Sequence, residues 1–200
     1  MANLQITIDD GPEPVPTALN PMLAELEALS IVAAFFNLGE EVKANPVAAQ
    51  TILRKGHVLG NHSWDHLMPH TRKYSDKDVL EQFKRTQEEV LNVTKVSMLH
   101  WRAPRLEQIE RLTKLLVTGP KAIFALSHCD VHVDSKDSQG VTTAAGMLTA
   151  IRTEIKRQST RSNFRLLFHV KPTTATAFHE VLDELVKKDG HTLVNFSQSK

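Results

Sequence analysis

The sequence predicts an α/β fold in which short parallel strands alternate with helices. Seven short runs are rich in apolar and β-branched residues, and six longer segments between them carry apolar residues at helical spacing. Such alternation favours right-handed β-α-β units with helices packed outside a parallel sheet. The 200 residues contain no Pro-rich or Gly/Ser-rich linker and no repeat of fixed period. We therefore expect one domain spanning residues 1–200.

Each predicted strand is a short apolar run bounded by polar or turn-forming residues. In chain order they are residues 4–8, 31–36, 57–59, 97–101, 122–126, 164–168 and 192–196. The first predicted helix carries Leu19, Leu23, Leu26 and Leu29, and the second covers residues 46–55 and stops at Gly56, which suits a left-handed C-terminal position.

The third predicted helix has the clearest boundaries. Ser75 and Asp78 form a capping box with the shorter acid, and one apolar stripe follows, made of Val79, Leu80, Phe83, Val90 and Leu91. The remaining helices are predicted over residues 106–117, 142–157 and 175–187, the last ended by Asp189 and Gly190.

Composition excludes several classes of protein. A formal net charge of +1 gives no excess for binding nucleic acid or anionic lipid, and no apolar run of membrane-spanning length occurs. Cys129 is the single cysteine, so it forms no internal disulfide. The N-terminal segment lacks the pattern of a secretory leader, so we expect a cytoplasmic protein or an extracellular domain whose leader has been removed. The oligomeric state stays open.

Polar and titratable side chains follow five of the predicted strands. In α/β proteins the carboxyl ends of parallel strands meet at one edge, where sites are built. No Gly-rich phosphate loop of the GxGxxG or GxxxxGK[ST] type follows the first strand, which argues against a nucleotide cofactor. The residues at these strand ends are Asp9, Asp10, residues 61–66, Arg102, Asp134, Asp137 and His169.

The spacing of His62 and His66 is common among paired metal ligands, because residues four apart lie on one side of a helical turn. The motif is not HExxH, since Ser63 replaces the glutamate of that metalloprotease motif. Asp9 or Asp10 would complete a set of two histidines and one carboxylate, leaving a ligand position open for water. The other aspartate would stay free to accept a proton.

Five segments, in order, resemble the motifs of the polysaccharide deacetylase family, the NodB homology domain of carbohydrate esterase family 4. Residues 7–12 (TIDDGP) are similar to TFDDGP, and residues 62–66 (HSWDH) match H(S/T)xxH. Residues 102–104 match the start of RxPY, residues 134–137 resemble DxxDW, and residues 167–169 match LxH. The resemblance covers nearly the whole chain.

The resemblance implies a distorted (β/α) barrel of about seven parallel strands that hydrolyses N-acetyl groups of N-acetylglucosamine-containing glycans, such as chitin oligomers or peptidoglycan. It also implies a divalent metal, usually Zn²⁺ and sometimes Co²⁺ or Ni²⁺, that activates water. By the same resemblance, Asp10, His62 and His66 hold the metal, Asp9 is the general base, and Arg102 orients that base. His169 is the general acid, and Asp137 tunes the pKa of that acid. The backbone N–H of Arg105 binds the oxyanion, and the acetyl pocket is formed by Trp64, Pro104 and Leu167.

Two residues depart from the family pattern. Arg105 replaces a tyrosine, and Ser138 replaces a tryptophan that would wall the acetyl pocket unless Trp64 or Trp101 supplies that wall. Three alternatives therefore stay open: an O-acetyl esterase acting on xylan with the same machinery, a carbohydrate-binding module of attenuated activity, and an amidohydrolase acting on a small cyclic amide.

Overall fold

The computed structural model describes residues 1–13, 17–66, 74–118 and 126–197. Its sheet has eight strands, and every strand pairing is parallel. Seven strands follow the order β5-β4-β3-β2-β1-β7-β6, and β8 pairs with the start of β1. The strands are β1 (Asn3–Gly11), β2 (Ala34–Asn37), β3 (Val58–Asn61), β4 (His100–Trp101), β5 (Ser127–His128), β6 (Val133–Asp134), β7 (Asn163–His169) and β8 (Thr192–Leu193).

Seven α-helices flank this sheet in the described part of the chain. They are α1 (Leu19–Ala28), α2 (Gly39–Ala44), α3 (Pro46–Arg54), α4 (Asp76–Thr94), α5 (Ile109–Thr113), α6 (Ala144–Arg157) and α7 (Pro172–Lys187). A π-helical turn (Lys114–Thr118) continues α5, and 3₁₀ turns cover Pro104–Leu106 and Asp137–Gln139. None of the helices described is both long and apolar enough to cross a membrane.

The two faces of β1 differ in chemistry because successive side chains of a strand point to opposite sides. Leu4, Ile6 and Ile8 are fully buried in the large apolar cluster between the sheet and its helices. Thr7 and Asp9 alternate with them and point to the other face, which is the interior of a half-barrel. Side chains from distant strands meet in this interior, since the side chain of Arg102, just after β4, contacts that of Asp9 on β1.

Several sequence signals are confirmed at the element ends. The Ser75 side chain accepts a hydrogen bond from the backbone N–H of Asp78, whose carboxylate accepts from the Ser75 N–H, so the capping box is present. Gly56 has a φ of 83°, the left-handed conformation expected after a helix. In β3, a Cβ at Gly60 would lie 2.4 Å from the Phe36 ring, so close packing inside the barrel requires glycine there.

The structure also corrects some expectations. The sequence pattern does not predict helix α2 or strand β6. Their six and two residues are too few to show a helical or a strand period. The helix expected over residues 106–117 begins only at Ile109. Leu91 of the predicted stripe is 43% exposed. Residues 122–125 of the fifth predicted strand lie outside the described residues, and β5 follows them.

Candidate active site

A cavity of about 450 Å³ opens at the carboxyl ends of the strands, as expected for a site in an α/β fold. Titratable residues at the carboxyl ends of β1 and β7 and just after β3 and β4 meet there. Its lining comprises Asp9, Asp10, His62, His66, Arg105, Leu106, Asp134, Ser138, Gln139, Leu167, His169 and Lys171.

Three of these residues form a cluster suited to a metal ion. One ligand atom from each of Asp10, His62 and His66 lies within 4.8 Å of the other two. Asp10 Oδ1 is 3.4 Å from His62 Nε2 and 3.5 Å from His66 Nε2. This oxygen is buried and has no hydrogen-bond partner among the described residues. Buried oxygens are rarely left unpaired, so the cluster fits a metal cation that this carboxylate oxygen can bind.

The tautomer of His62 strengthens that fit. Its Nδ1 lies 3.0 Å from the backbone carbonyl oxygen of Arg102, and a carbonyl can only accept, so Nδ1 carries the proton. In the neutral ring, Nε2 therefore presents its lone pair toward Asp10 Oδ1. Two acceptors that face each other require a cation between them, and this hydrogen bond is the usual support for a metal-binding histidine.

Electrostatics at the cluster favour the unprotonated ligands. Burial acts to raise the pKa of Asp10, but the neighbouring His62 and the charges of His169 and His66 outweigh it, and the pKa lies well below its ordinary value. Burial lowers the pKa of His66, which favours its neutral form. A carboxylate and neutral imidazoles are the forms that bind a metal ion.

Asp9 is held by a buried arginine. Arg102 is fully buried, and its Nη1 donates to Asp9 Oδ1 at 2.6 Å and to Thr7 Oγ1 at 3.0 Å. Its Nε donates to the carbonyl oxygen of Cys129 at 3.2 Å, and its guanidinium lies 4.1 Å from the centre of the Phe36 ring. The second oxygen of Asp9 is 3.6 Å from His62 Nε2, so it faces the cluster.

At the end of β7, next to Asp9 in the strand register, His169 is paired with Asp137. Its Nδ1 donates to Asp137 Oδ1 at 2.6 Å, and the other carboxylate oxygen accepts from the His169 backbone N–H and from Thr174 Oγ1. Burial acts to lower the pKa of His169, but the hydrogen bond and charge of Asp137 outweigh burial and raise it. The same contact lowers the pKa of Asp137 against the effect of burial.

Backbone strain is concentrated around this cavity. Five residues around it have φ between 56° and 72°, a region that non-glycine residues seldom adopt. They are Asp10, Ser63, His66, Arg105 and Leu106. Such strain clusters at functional sites. The expected helical turn over residues 62–66 is absent, because this segment is a loop. Left-handed conformations, rather than helical spacing, bring the two imidazoles together.

The structure brings most predicted site residues to the cavity, but not all of them. Leu167, Arg105 and Ser138 line it. Trp64 lies in the neighbouring groove beneath Arg85, whose guanidinium is 3.6 Å from the centre of its ring. Pro104 and Trp101 are buried and outside the lining.

Sequence reasoning missed several contributors. Lys171 and Gln139 line the cavity. The signals that could have found them were that Lys171 follows the end of β7 and that Gln139 follows the predicted site residue Asp137. Thr174 and Cys129, which support Asp137 and Arg102, belong to no motif. Burial raises the pKa of the Cys129 thiol, which disfavours the reactive thiolate.

Comparison with known proteins identifies the family. The family model described as polysaccharide deacetylase matches residues 3–118, more than half of the chain. The chain belongs to the polysaccharide deacetylase family. It is 37% identical over 92 residues to the peptidoglycan-N-acetylglucosamine deacetylase PgdA of Listeria monocytogenes. The aligned residues make up 46% of this chain and 19% of that protein. It is 30% identical over 105 residues to a chitooligosaccharide deacetylase of Azorhizobium caulinodans, 52% of this chain and 48% of that protein.

Solved structures confirm the barrel fold. The peptidoglycan deacetylase PdaC of Bacillus subtilis aligns with a TM-score of 0.78 and 25% identity, covering 98% of this chain and 89% of that one. BA3943 of Bacillus anthracis, a family 4 carbohydrate esterase pseudoenzyme, aligns with a TM-score of 0.79 and 20% identity, covering 98% of this chain and 64% of that one. The fold is therefore common to active enzymes and pseudoenzymes, and activity must be argued from the site.

Proposed function

We propose that this protein is a metal-dependent N-deacetylase of glycans that contain N-acetylglucosamine, and that its 200 residues form one catalytic domain. The observation that carries the proposal is the buried, unpartnered Oδ1 of Asp10, which faces Nε2 of both His62 and His66. A ligand set of one carboxylate and two imidazoles suits Zn²⁺, and Co²⁺ and Ni²⁺ also accept it.

A divalent cation held there would polarise the acetyl carbonyl and lower the pKa of a water molecule. The chain's own residues supply the proton transfers. Asp9 is the general base: Arg102 occupies its Oδ1 at 2.6 Å, which leaves Oδ2 facing the cluster and free to take a proton from water. Arg102 thus fixes the orientation of the base.

His169 is the general acid in this proposal. Asp137 holds its Nδ1 and raises its pKa, so the ring stays protonated to a higher pH than an ordinary histidine. Its ring lines the cavity and can donate a proton to the leaving amine. We assign oxyanion binding to the backbone N–H of Arg105, a residue with positive φ that lines the same cavity, and contact with the acetyl methyl to Leu167.

The relatives support the substrate class. The similar proteins of Listeria and Azorhizobium are named as deacetylases of peptidoglycan N-acetylglucosamine and of chitooligosaccharide. Acetylated glycans of these two kinds are therefore the first substrates to test.

Acetate release from chitin hexamers, measured after chelation and again after addition of zinc, tests the proposal. We expect activity to disappear with the chelator and return with the metal. Asp10→Asn should weaken zinc binding, whereas Asp9→Asn should retain zinc but lose at least 100-fold in kcat, the order of magnitude for removing a general base (~10²–10⁴). Asp65→Asn is the matched control, because Asp65 is an exposed residue of the same loop whose carboxylate accepts a hydrogen bond from Gln82 and does not line the cavity.

Two results would contradict the proposal. One is stoichiometric zinc binding without acetate release from chitin or peptidoglycan fragments. The other is full turnover by Asp9→Asn, which would remove the assigned base while leaving the metal site in place.

A further inference from the structure

A second cavity, of about 300 Å³, lies at the opposite end of the barrel from the candidate active site. Its lining includes Asn3 at the start of β1, His132 before β6, and Asn163 and Arg165 at the start of β7. Asn3 and Asp9 are six residues apart on β1, so about 20 Å of strand separates this cavity from the catalytic end.

Two arginines line this cavity without a carboxylate partner. Arg165 is half-buried, its Nε donates to Gln5 Oε1 at 3.3 Å, and its guanidinium lies 6.0 Å from the centre of the Phe196 ring. Arg161 lies at the cavity mouth with Nη1 3.0 Å from His132 Nε2. Neither guanidinium forms an ion pair with any acidic residue in the described ranges. A half-buried guanidinium without a counter-charge, with a second, exposed guanidinium lining the same cavity, favours an anion.

The hydrogen bonds of His132 point to the same conclusion. Its Nδ1 accepts from the backbone N–H of Arg165 at 3.0 Å, so a neutral ring carries its proton on Nε2. Arg161 Nη1 can only donate, and the two donors therefore face each other at 3.0 Å. An acceptor oxygen in the cavity, beside both nitrogens, would take one hydrogen bond from each.

We infer that this cavity binds a phosphate-class oxyanion, either the free ion or the phosphate group of a small phosphomonoester, through Arg161, Arg165 and Nε2 of His132. Arginine presents several N–H donors in a planar fork that matches phosphate oxygens, and charge-assisted bonds of this kind are the stronger ones. The cavity is larger than a single oxyanion needs, which leaves room for an attached organic group.

The charges around His132 provide a readout that is independent of deacetylation. Burial, Arg161 and Arg165 lower its pKa, Asp130 acts in the opposite direction, and Arg102 adds a smaller lowering effect. A bound dianion would counter the arginines and raise the pKa of His132.

The experiment is a titration of the full chain with inorganic phosphate at constant ionic strength, with chloride as the reference anion. Calorimetry measures affinity, and NMR of the histidine rings measures the pKa of His132. We expect phosphate to bind and raise that pKa, and Arg161→Met to weaken binding about tenfold or more. Arg157→Met is the matched control, since Arg157 is an exposed arginine paired with Glu154.

A hexose 6-phosphate distinguishes the two sources of the anion. Tighter binding than inorganic phosphate would indicate a phosphomonoester, and equal binding would indicate the free ion. Arg161 is exposed, so its replacement should leave folding and acetate release unchanged. The inference is overturned if phosphate leaves the titration of His132 unchanged, or if Arg157→Met weakens binding as much as Arg161→Met does, because either result would mean nonspecific attraction only.

Discussion

The buried pair of Arg102 and Asp9 allows a stability prediction that does not depend on catalysis. Arg102→Met removes a fully buried guanidinium and leaves Asp9, only 2% exposed, without its cation. Removing one partner of a buried ion pair costs about 3–5 kcal/mol, because the remaining charge is desolvated and unpaired. For a domain of this size we expect Tm to fall by roughly 6–20 °C.

A double-mutant cycle isolates the pair itself. Asp9→Asn alone leaves Arg102 buried without its carboxylate, whereas the double variant removes both charges. We expect the double variant to be about 2–3 kcal/mol more stable than the sum of the two single losses implies. Urea unfolding of the metal-depleted protein, with the m-value compared across variants, measures this coupling.

The exposed pair of Arg157 and Glu154 is the matched control. Its side chains are 2.7 Å apart but largely or partly exposed, so its coupling should stay below about 1 kcal/mol. If the losses in the free energy of unfolding from the Arg102 and Asp9 substitutions are simply additive, the reasoning that burial makes this pair strong is refuted.

Three further outcomes follow from single contacts. Burial lowers the pKa of His57 to about 4, so as the pH falls the unfolded chain binds the proton before the folded chain does. The free energy of unfolding of the wild type should therefore fall by roughly 2 kcal/mol between pH 6.5 and pH 4 through this group. Urea unfolding at both pH values measures the loss, which should be absent in His57→Asn. Asp137→Asn should move the high-pH limb of the kcat profile to lower pH, since the raised pKa of His169 depends on that carboxylate; an unmoved limb would exclude His169 as the acid. Gly60→Ala should cost about 1–3 kcal/mol through overlap with Phe36, and Phe36→Leu in that background should recover part of it.

The long elements were readable from sequence because each carries several periods of its own pattern. β1 alternates buried apolar residues with inward polar ones, and α4 shows both its capping box and its apolar stripe. The stripe also misled at one position: Leu91 is exposed, whereas Gln87 is buried and donates to the Met98 carbonyl. A polar side chain that finds a partner can replace an apolar one in the core, and periodicity carries no information about partners.

Short elements depend on pairing rather than on local pattern. β4, β5 and β6 have two residues each and are defined by hydrogen bonds to neighbouring strands. Two residues hold no period that a sequence could display.

The sequence by itself determined the alternating fold, its parallel order, and the identity of the chemical groups at the strand ends, among them Asp9, Asp10, His62 and His66. These follow from local spacing and from the motifs that contain them. Only the tertiary structure decided which atoms face each other. Arg102 occupies one oxygen of Asp9 and the other faces His62, while Asp10 Oδ1 is buried with no hydrogen-bond partner in the described part of the chain. Those facts depend on contacts between residues more than 50 positions apart, which form only when the barrel closes around them.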